Sequence, residues 1–231
     1  MARHGYRNYI ILLQIGANIV QECKTEMTDL FGFVQAGGGS RRFGADKALS
    51  VLRGETMLAQ TVGLVSYACG NARIIAPARK YLHAPAEILV DRWPGEGPLG
   101  GIVTALTETS AHATRPAWNL IVGCDMPFLT REWLEYLCAT AAASSAEVVL
   151  PESQFGWEPL CACWSTKALA ELQRAFDSGV RKVTEAIGTI QREVLDESLW
   201  KRFDNGGRLF WNMNTPEDFV EAQRIIDSET R

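Results

Sequence analysis

Residues 35 to 49 read Gln-Ala-Gly-Gly-Gly-Ser-Arg-Arg-Phe-Gly-Ala-Asp-Lys-Ala-Leu, and they follow directly on an apolar run, Phe31 to Gln35. Gly37, Gly38 and Gly39 allow positive φ and bring backbone N–H groups close to a ligand, because no Cβ stands in the way. Arg41, Arg42 and Lys47 add positive charge to the same loop. Amide donors and cations at the end of a strand suit a polyphosphate. The spacing does not fit a P-loop: Gly39 and Gly44 have the required gap, but Ala45-Asp46 follows where Lys-Ser/Thr belongs. A G-x-G-x-x-G fingerprint fails as well, since Arg42 occupies the place of the third glycine. The plain alternative is a tight surface turn with solvated arginines.

Three further segments carry chemistry of the same kind. Val90-Asp91 ends an apolar run and leads into Pro94-Gly95-Glu96-Gly97-Pro98-Leu99-Gly100-Gly101. Pro98 is suited to open a helix, and Gly100-Gly101 allows that helix to approach a ligand closely. Asn119-Leu-Ile-Val-Gly-Cys-Asp125-Met-Pro delivers an aspartate at the carboxyl end of a strand, a common way to hold Mg²⁺ beside phosphates. One placed carboxylate suffices, because Mg²⁺ keeps waters and phosphate oxygens as its other ligands. Phe210-Trp211-Asn212-Met213-Asn214-Thr215-Pro216 sets two amides two residues apart, on one face if the segment is a strand. For Asp91, Asp125 and Asn214 the competing role is structural, as turn-forming residues.

The glycine loop resembles the signature of the molybdenum cofactor guanylyltransferases, the MobA family, written L-A-G-G-x-S-x-R-x-G-x-D-K. Ala36, Gly37, Gly38, Ser40, Arg42, Gly44, Asp46 and Lys47 fall in register, and Gln35 replaces the leucine. The other segments resemble the family's G-P-L-x-G, C-D-x-P and N-x-N-T-P elements, so that the likeness covers residues 31–227. The resemblance implies a Rossmann-like, doubly wound, mostly parallel sheet of the nucleotide-diphospho-sugar transferase type. It implies GTP and molybdenum-bound molybdopterin as substrates, joined with release of pyrophosphate, and Mg²⁺ as cofactor. Lys47, Arg42 and Asp125 would be the catalytic residues, with the metal on Asp125. Gln35, Ala36, Gly37, Gly38, Gly39, Ser40, Lys47, Asp91, Gly100, Asp125, Asn212 and Asn214 would bind the ligands. Arg181 and Lys182 are candidates for the pterin phosphate or for surface charges, and Trp157-Glu158-Pro159-Leu160 is a weaker match on the substrate side. Ala76 stands where the family commonly has asparagine, whereas unbroken D-K-A and G-P-L-G-G favour guanine over cytosine. Molybdenum insertion proteins and molybdoenzyme chaperones are the protein partners implied. The rival readings are a cytidylyl- or sugar-phosphate nucleotidyltransferase and a non-catalytic subunit that binds nucleotide and delivers the cofactor.

The elements needed to position these residues are visible as an alternation of short apolar runs and amphipathic stretches. Strands are expected at 31–35, 72–77, 87–90, 118–124 and 147–150, with 160–164 and 210–213 extending the sheet. Helices are expected at 56–69, 99–109, 131–143, 166–178 and 216–228, with Thr130 and Thr215 as caps. In the first, Leu58, Thr61, Val62, Val65 and Ala68 share one face. No repeat or long linker divides the chain.

The composition excludes more than it proposes. A net charge of −4 on 231 residues, without a long basic block, argues against non-specific nucleic-acid binding. Three histidines, His4, His83 and His112, are too scattered for a zinc site, and six cysteines show no C-x-x-C pair. Cys161 and Cys163 read as small buried hydrophobes of a reduced, cytoplasmic protein. Arg3, His4 and Arg7 precede an apolar stretch, Tyr9 to Val20, that is too short to span a bilayer and lacks a convincing cleavage site. Met27 stands four residues before the first strand. Residues 1–26 are therefore expected to be a leader, disordered or an artefact of the assigned start, and residues 27–231 one nucleotidyltransferase domain.

Overall fold

The computed structural model describes residues 30–37, 43, 46–81 and 83–229. The expectations for residues 1–26 and for Gly38, Gly39, Ser40, Arg41 and Arg42 lie outside the described residues. Strands and helices alternate as β1 (Leu30–Gln35), β2 (Val51–Leu52), β3 (Glu55–Thr56), α1 (Met57–Cys69), β4 (Arg73–Ala76), β5 (Glu87–Val90), α2 (Pro98–Ala111), β6 (Trp118–Gly123) and α3 (Arg131–Ala143). The chain continues through β7 (Val148–Ser153), β8 (Gly156–Trp157), β9 (Cys161–Ser165), α4 (Leu169–Asp177), α5 (Val183–Ile187), β10 (Arg192–Leu195), α6 (Glu197–Trp200) and α7 (Pro216–Glu229).

The main sheet runs β10-β7-β9-β6-β1-β4-β5, with β8 paired to β7. Its pairings are parallel except those of β9, which is antiparallel to both β6 and β7, and that of β8, which is antiparallel to β7. This is the expected doubly wound, mostly parallel sheet. Each strand feeds two cores because its side chains alternate. Val34, Ile74, Leu120, Val122, Val149, Cys161 and Cys163 pack on the face covered by α1 and α3. Phe33, Ile75, Ile121, Val148, Leu150, Ala162 and Trp164 pack on the other, with residues of α2, α4 and α5. Every residue of β6 is buried, so the sequence shows a continuous apolar run and not an alternating one. At about 1.5–3 kcal/mol for each fully buried aliphatic or aromatic side chain, these two cores are what hold the sheet ends in place.

The helix ends follow local chemistry. Thr56 Oγ1 accepts from Ala59 N at 3.2 Å at the start of α1, and Thr130 Oγ1 accepts from Trp133 N at 3.2 Å at the start of α3. Thr215 and Asp218 cap α7 reciprocally: Thr215 Oγ1 accepts from Asp218 N at 3.2 Å, and Asp218 Oδ2 accepts from Thr215 N at 2.8 Å. No described helix is long and apolar enough to cross a membrane.

β1 lies between β4 and β6, so successive βα connections run in opposite directions from it and leave a crevice at the carboxyl ends of β1 and β6. Register places Gln35 beside Gly123, and Ala76 beside Val90. Gln35, Asp91 and Asp125 thereby emerge at one end of the sheet.

The structure corrects one expected strand. Residues 210–213 form no strand, because β6 already has β1 and β9 as neighbours and no edge is open beside Asp125. Phe210 and Met213 are instead buried singly, three residues apart, and Met213 N donates to Asp125 O at 2.8 Å. Thr166–Ala168 is a 3-10 turn ahead of α4 and not its first turn. The β2–β3 hairpin, β8, α5, β10 and α6 are too short or too irregular to be read from periodicity.

α1 presses closely on β1. A Cβ on Gly32 would lie 2.4 Å from Val65 Cγ1 and 2.6 Å from Asn71 O. Gly63, on the exposed face of α1, has nothing within 4 Å of the same position. Gly32→Ala is expected to destabilise the protein by about 1–3 kcal/mol through overpacking, and Gly63→Ala to stabilise it by about 0.5–1 kcal/mol through helix propensity. Urea unfolding reads both; a Gly32→Ala protein as stable as the parent would contradict the close seating of α1.

Candidate functional site

Lys47 and Asp125 meet at the crevice. Asp46 ends the loop after β1 in an extended conformation, and its Oδ1 accepts from Ala48 N at 3.1 Å, which starts the 3-10 turn Lys47–Leu49. Ala48 is buried, so the turn is fixed and Lys47 faces the crevice. Its Nζ donates to Asp125 Oδ2 at 2.7 Å, to Asn214 Oδ1 at 3.1 Å and to Met213 O at 3.4 Å. Asp125 stands two residues past β6, where its backbone oxygen is held by Met213 N. One carboxylate, one amide oxygen and one carbonyl oxygen thus surround a cation. These are hard oxygen donors of the kind that suit a divalent ion such as Mg²⁺. Among the described residues no three histidine, cysteine or carboxylate side chains gather as a metal cage.

The crevice is a cavity of about 280 Å³ that runs from Lys47 and Asp125 to Gln35, Asp91 and Pro98. Gln35 Nε2 donates to Pro98 O at 3.2 Å, and its Oε1 is buried without a partner. The amide lies close against α2: a Cβ on Gly101 would stand 2.4 Å from Gln35 Nε2, so any larger residue there would displace the Gln35 side chain. Gly97 precedes α2 at φ 89, a left-handed geometry that favours glycine and lets Pro98 begin the helix. Asp91 is buried; its Oδ1 accepts from Trp93 N at 3.0 Å and from Thr104 Oγ1 at 3.4 Å. Asp91 therefore holds its own turn as well as lining the cavity.

Two residues after β4 were not singled out from sequence. Tyr81 donates its hydroxyl to Ala36 O at 2.8 Å, and Lys80 reaches Asp46 Oδ2 at 3.2 Å and Ala36 O at 3.4 Å. They brace the base of the glycine loop, and burial, with the Asp46 charge, pushes the Tyr81 hydroxyl up and keeps it a donor. Their position beyond the carboxyl end of a strand was the available signal. Cys124 lines the same cavity, but burial, reinforced by Asp125, pushes its thiol up to about 12, so it is no thiolate nucleophile.

On the other side of Asp125, Glu158 is buried and accepts from Ser153 Oγ at 2.6 Å. Burial raises its carboxyl above the ordinary range; the Ser153 and Asn212 hydrogen bonds oppose that shift and the Asp125 charge adds to it. Asn212 Nδ2 also donates to Phe210 O at 3.3 Å. Asn212 and Asn214 do not share a strand face: Asn214 turns to Lys47 and Asn212 to Glu158.

The structure brings Gln35, Ala36, Gly37, Lys47, Asp91 and Asp125 to one cavity, with Asn214 against Lys47. Gly100 is not among them. A Cβ there would meet Trp93 at 3.2 Å and Phe176 at 3.5 Å, so its lack of a side chain serves helix packing, while Gly97 and Pro98 line the cavity. Arg181 is also committed elsewhere: its Nε donates to Glu96 Oε2 at 2.7 Å and its Nη1 to Phe176 O at 2.7 Å. Gly38, Gly39, Ser40 and Arg42 lie outside the described residues.

Comparison with known proteins gives the same assignment from an independent direction. The family model described as the MobA-like NTP transferase domain matches residues 32–193. A probable molybdenum cofactor guanylyltransferase of Deinococcus radiodurans is 36% identical over 84% of this chain and 94% of its own. The molybdenum cofactor guanylyltransferase of Desulfosudis oleivorans is 30% identical over 87% of this chain and 97% of its own. The crystal structure of molybdopterin-guanine dinucleotide biosynthesis protein A from Archaeoglobus fulgidus superposes with a TM-score of 0.71 at 25% identity, covering 85% of this chain and 98% of that one. With its crevice at the β1–β6 switch point and its Lys47–Asp125 pair, the chain belongs to the family of MobA-like NTP transferases.

Proposed function

We propose that this protein transfers GMP from GTP to the terminal phosphate of molybdenum-bound molybdopterin and releases pyrophosphate. The observation that carries the reading is the Lys47–Asp125 contact at the switch-point crevice, in a chain whose relatives bear guanylyltransferase names. A phosphate oxygen of the acceptor attacks the α-phosphorus of GTP. The bond from that phosphorus to the α,β-bridging oxygen breaks, and its electrons leave with pyrophosphate. The nucleophile is already an anion, so no strong general base is needed, in keeping with a chain of three histidines.

The work left to the protein is positioning and charge neutralisation. Gln35, Asp91 and Pro98 border the end of the cavity proposed to receive the nucleoside, and Lys47 the end for its phosphates. Lys47, joined by Arg42 and the glycine-loop amides on the strength of the family signature, would balance the charge that grows on the leaving pyrophosphate. Asp125, with Asn214 Oδ1 and Met213 O close by, would hold Mg²⁺, which supplies Lewis-acid neutralisation of the α- and β-phosphates. Glu158 and Asn212 border the acceptor side. A cytoplasmic location and docking to molybdenum insertion proteins or molybdoenzyme chaperones belong to the same reading.

Lys47→Ala and Asp125→Ala are expected to fold and to lose about 10²–10³ in turnover, the scale of removing one preorganised charge-stabilising donor. Pyrophosphate release with loaded molybdopterin, measured with each of the four nucleoside triphosphates, checks the roles and the base together. Full activity in either variant would sink the assignment; binding of GTP without turnover in the parent would favour a cofactor-delivery role. A second expectation follows from the oxygen cradle, where the Lys47 ammonium sits among the proposed metal ligands. Without nucleotide, Lys47→Met should bind Mn²⁺ about fivefold more tightly than the parent, which corresponds to roughly 1 kcal/mol of net competition from an ion pair whose Coulomb attraction is largely offset by desolvation. Electron paramagnetic resonance of free Mn²⁺ measures this, and equal or weaker binding would refute the competition.

A further inference from the structure

Residues 93–98 form the wall of the crevice that leads from Asp91 into α2, and Gly95, Gly97 and Pro98 line the cavity. Gly95 and Gly97 both stand at φ 89, and glycine is the residue least able to hold a chain in one conformation. Pro98 O receives the Gln35 amide, so a shift of this wall moves the Gln35 side chain with it. We infer that Arg181 is a positioning residue that fixes this wall from behind and so sets the affinity for the nucleoside, an inference that rests on the nucleotide reading of the crevice.

Three contacts tie the wall to α4 and to the chain that links α4 to α5. Arg181 Nε donates to Glu96 Oε2 at 2.7 Å across 85 positions, and Glu96 stands between the two glycines. Trp93, at the start of the wall, meets Phe176 of α4 with ring centres 5.0 Å apart. At its end, a Cβ on Gly97 would stand 3.6 Å from Arg181 O, so the two backbones run close together. The Arg181 guanidinium is itself held. Its Nη1 donates to Phe176 O at 2.7 Å and to Val180 O at 3.0 Å, and the group lies 4.0 Å from the centre of the Phe176 ring. Phe176 thus carries both Trp93 and Arg181. On the crevice side Trp93 N donates to Asp91 Oδ1 at 3.0 Å, which continues the tie to a carboxylate at the end proposed for the nucleoside. To take a phosphate of the acceptor instead, Arg181 would have to give up Glu96 and turn away from Phe176. An exposed ion pair adds little to global stability. Its effect here is local, on a short turn flanked by glycines.

The test compares the full chain with Glu96→Gln, Arg181→Met and the two combined. In Mg²⁺, calorimetric titration should find GTP binding about threefold weaker in Glu96→Gln, the scale of an exposed ion pair, and at least as weak in Arg181→Met. The combined variant should bind no more weakly than Arg181→Met, because both changes remove one contact. Inorganic tripolyphosphate, which has no nucleoside, should bind all four proteins alike. Unchanged GTP affinity in Glu96→Gln, additive losses in the combined variant, or an equal loss for tripolyphosphate would each overturn the inference. A rise confined to the KM for loaded molybdopterin in Arg181→Met would do so as well, since it would make Arg181 a ligand of the acceptor. Hydrogen exchange of the unliganded protein needs no nucleotide. The peptide spanning residues 93–98 should exchange faster in both single variants, and exchange equal to the parent's would refute the tether. A parent that binds no GTP counts against guanylyl transfer and leaves the exchange result to decide on Arg181.

Discussion

One contact organises the functional end of this protein: the ammonium of Lys47 at 2.7 Å from the Asp125 carboxylate. The two residues are 78 positions apart and come from opposite flanks of the switch point, one after β1 and one after β6. Their side chains keep only 16% and 20% of their exposure, so each has lost much of its hydration. A pair in that condition adds little net stability, because desolvation offsets most of the Coulomb attraction. Under the proposed function its value lies in readiness: a cation and a carboxylate are held apart from bulk water at the place proposed for a triphosphate and a metal ion. The surrounding architecture serves this placement. The reciprocal cap of α7 pins Thr215, Met213 N holds the backbone of Asp125, and Asp46 sets the turn that carries Lys47.

Much of that arrangement was legible in the residues themselves. A continuous apolar run closing on Cys124-Asp125 fixes both the buried strand and the carboxylate at its end. The Asp-Lys step after the glycine loop marks the opposing cation. The helix ends were equally readable, since Thr130 and Thr215 cap through local hydrogen bonds that depend only on short spacing. What escaped was set by distant neighbours. Lys80 and Tyr81 reach Ala36 only because β4 pairs with β1, a relation 44 and 45 residues long. Glu158, already part of the weaker substrate-side match, becomes a buried neighbour of Asn212 through the same kind of long-range packing. Residues 210–213 carried an apolar, strand-like composition, yet the sheet offered them no open edge.

The glycine-rich first turn of α2 shows how a close approach read from the sequence is taken up within the protein. Gly100 and Gly101 both allow close approach, as their spacing suggests, but the approach is made by protein. Gly100 takes Trp93 and Phe176, and Gly101 takes the Gln35 amide. Gly101 thereby sets the pose of Gln35, whose Nε2 is spent on Pro98 O and whose Oε1 is left without a donor. The departure from the family's leucine at this position introduces a polar group into the end of the cavity proposed for the nucleoside. Its chemical consequence is definite: an acceptor is added, and an apolar contact is lost.

Electrostatics then constrains how any triphosphate enters. Asp46, Asp91, Asp125 and Glu158 gather around a crevice in which Lys47 and Lys80 are already engaged by Asp125 and Asp46. A ligand with four negative charges would meet carboxylates whose own cations are occupied. Entry is favourable only if cations arrive with the ligand or are drawn from the loop, which is the role proposed for Mg²⁺ and for Arg42. Glu158 answers the same pressure differently. Its neighbours Ser153 and Asn212 supply hydrogen bonds that lower its carboxyl, against burial and the Asp125 charge, which raise it above the ordinary range. Under the proposed function the acidic crevice is made compatible with phosphate chemistry by pairing and by recruited cations, each acting on a different residue.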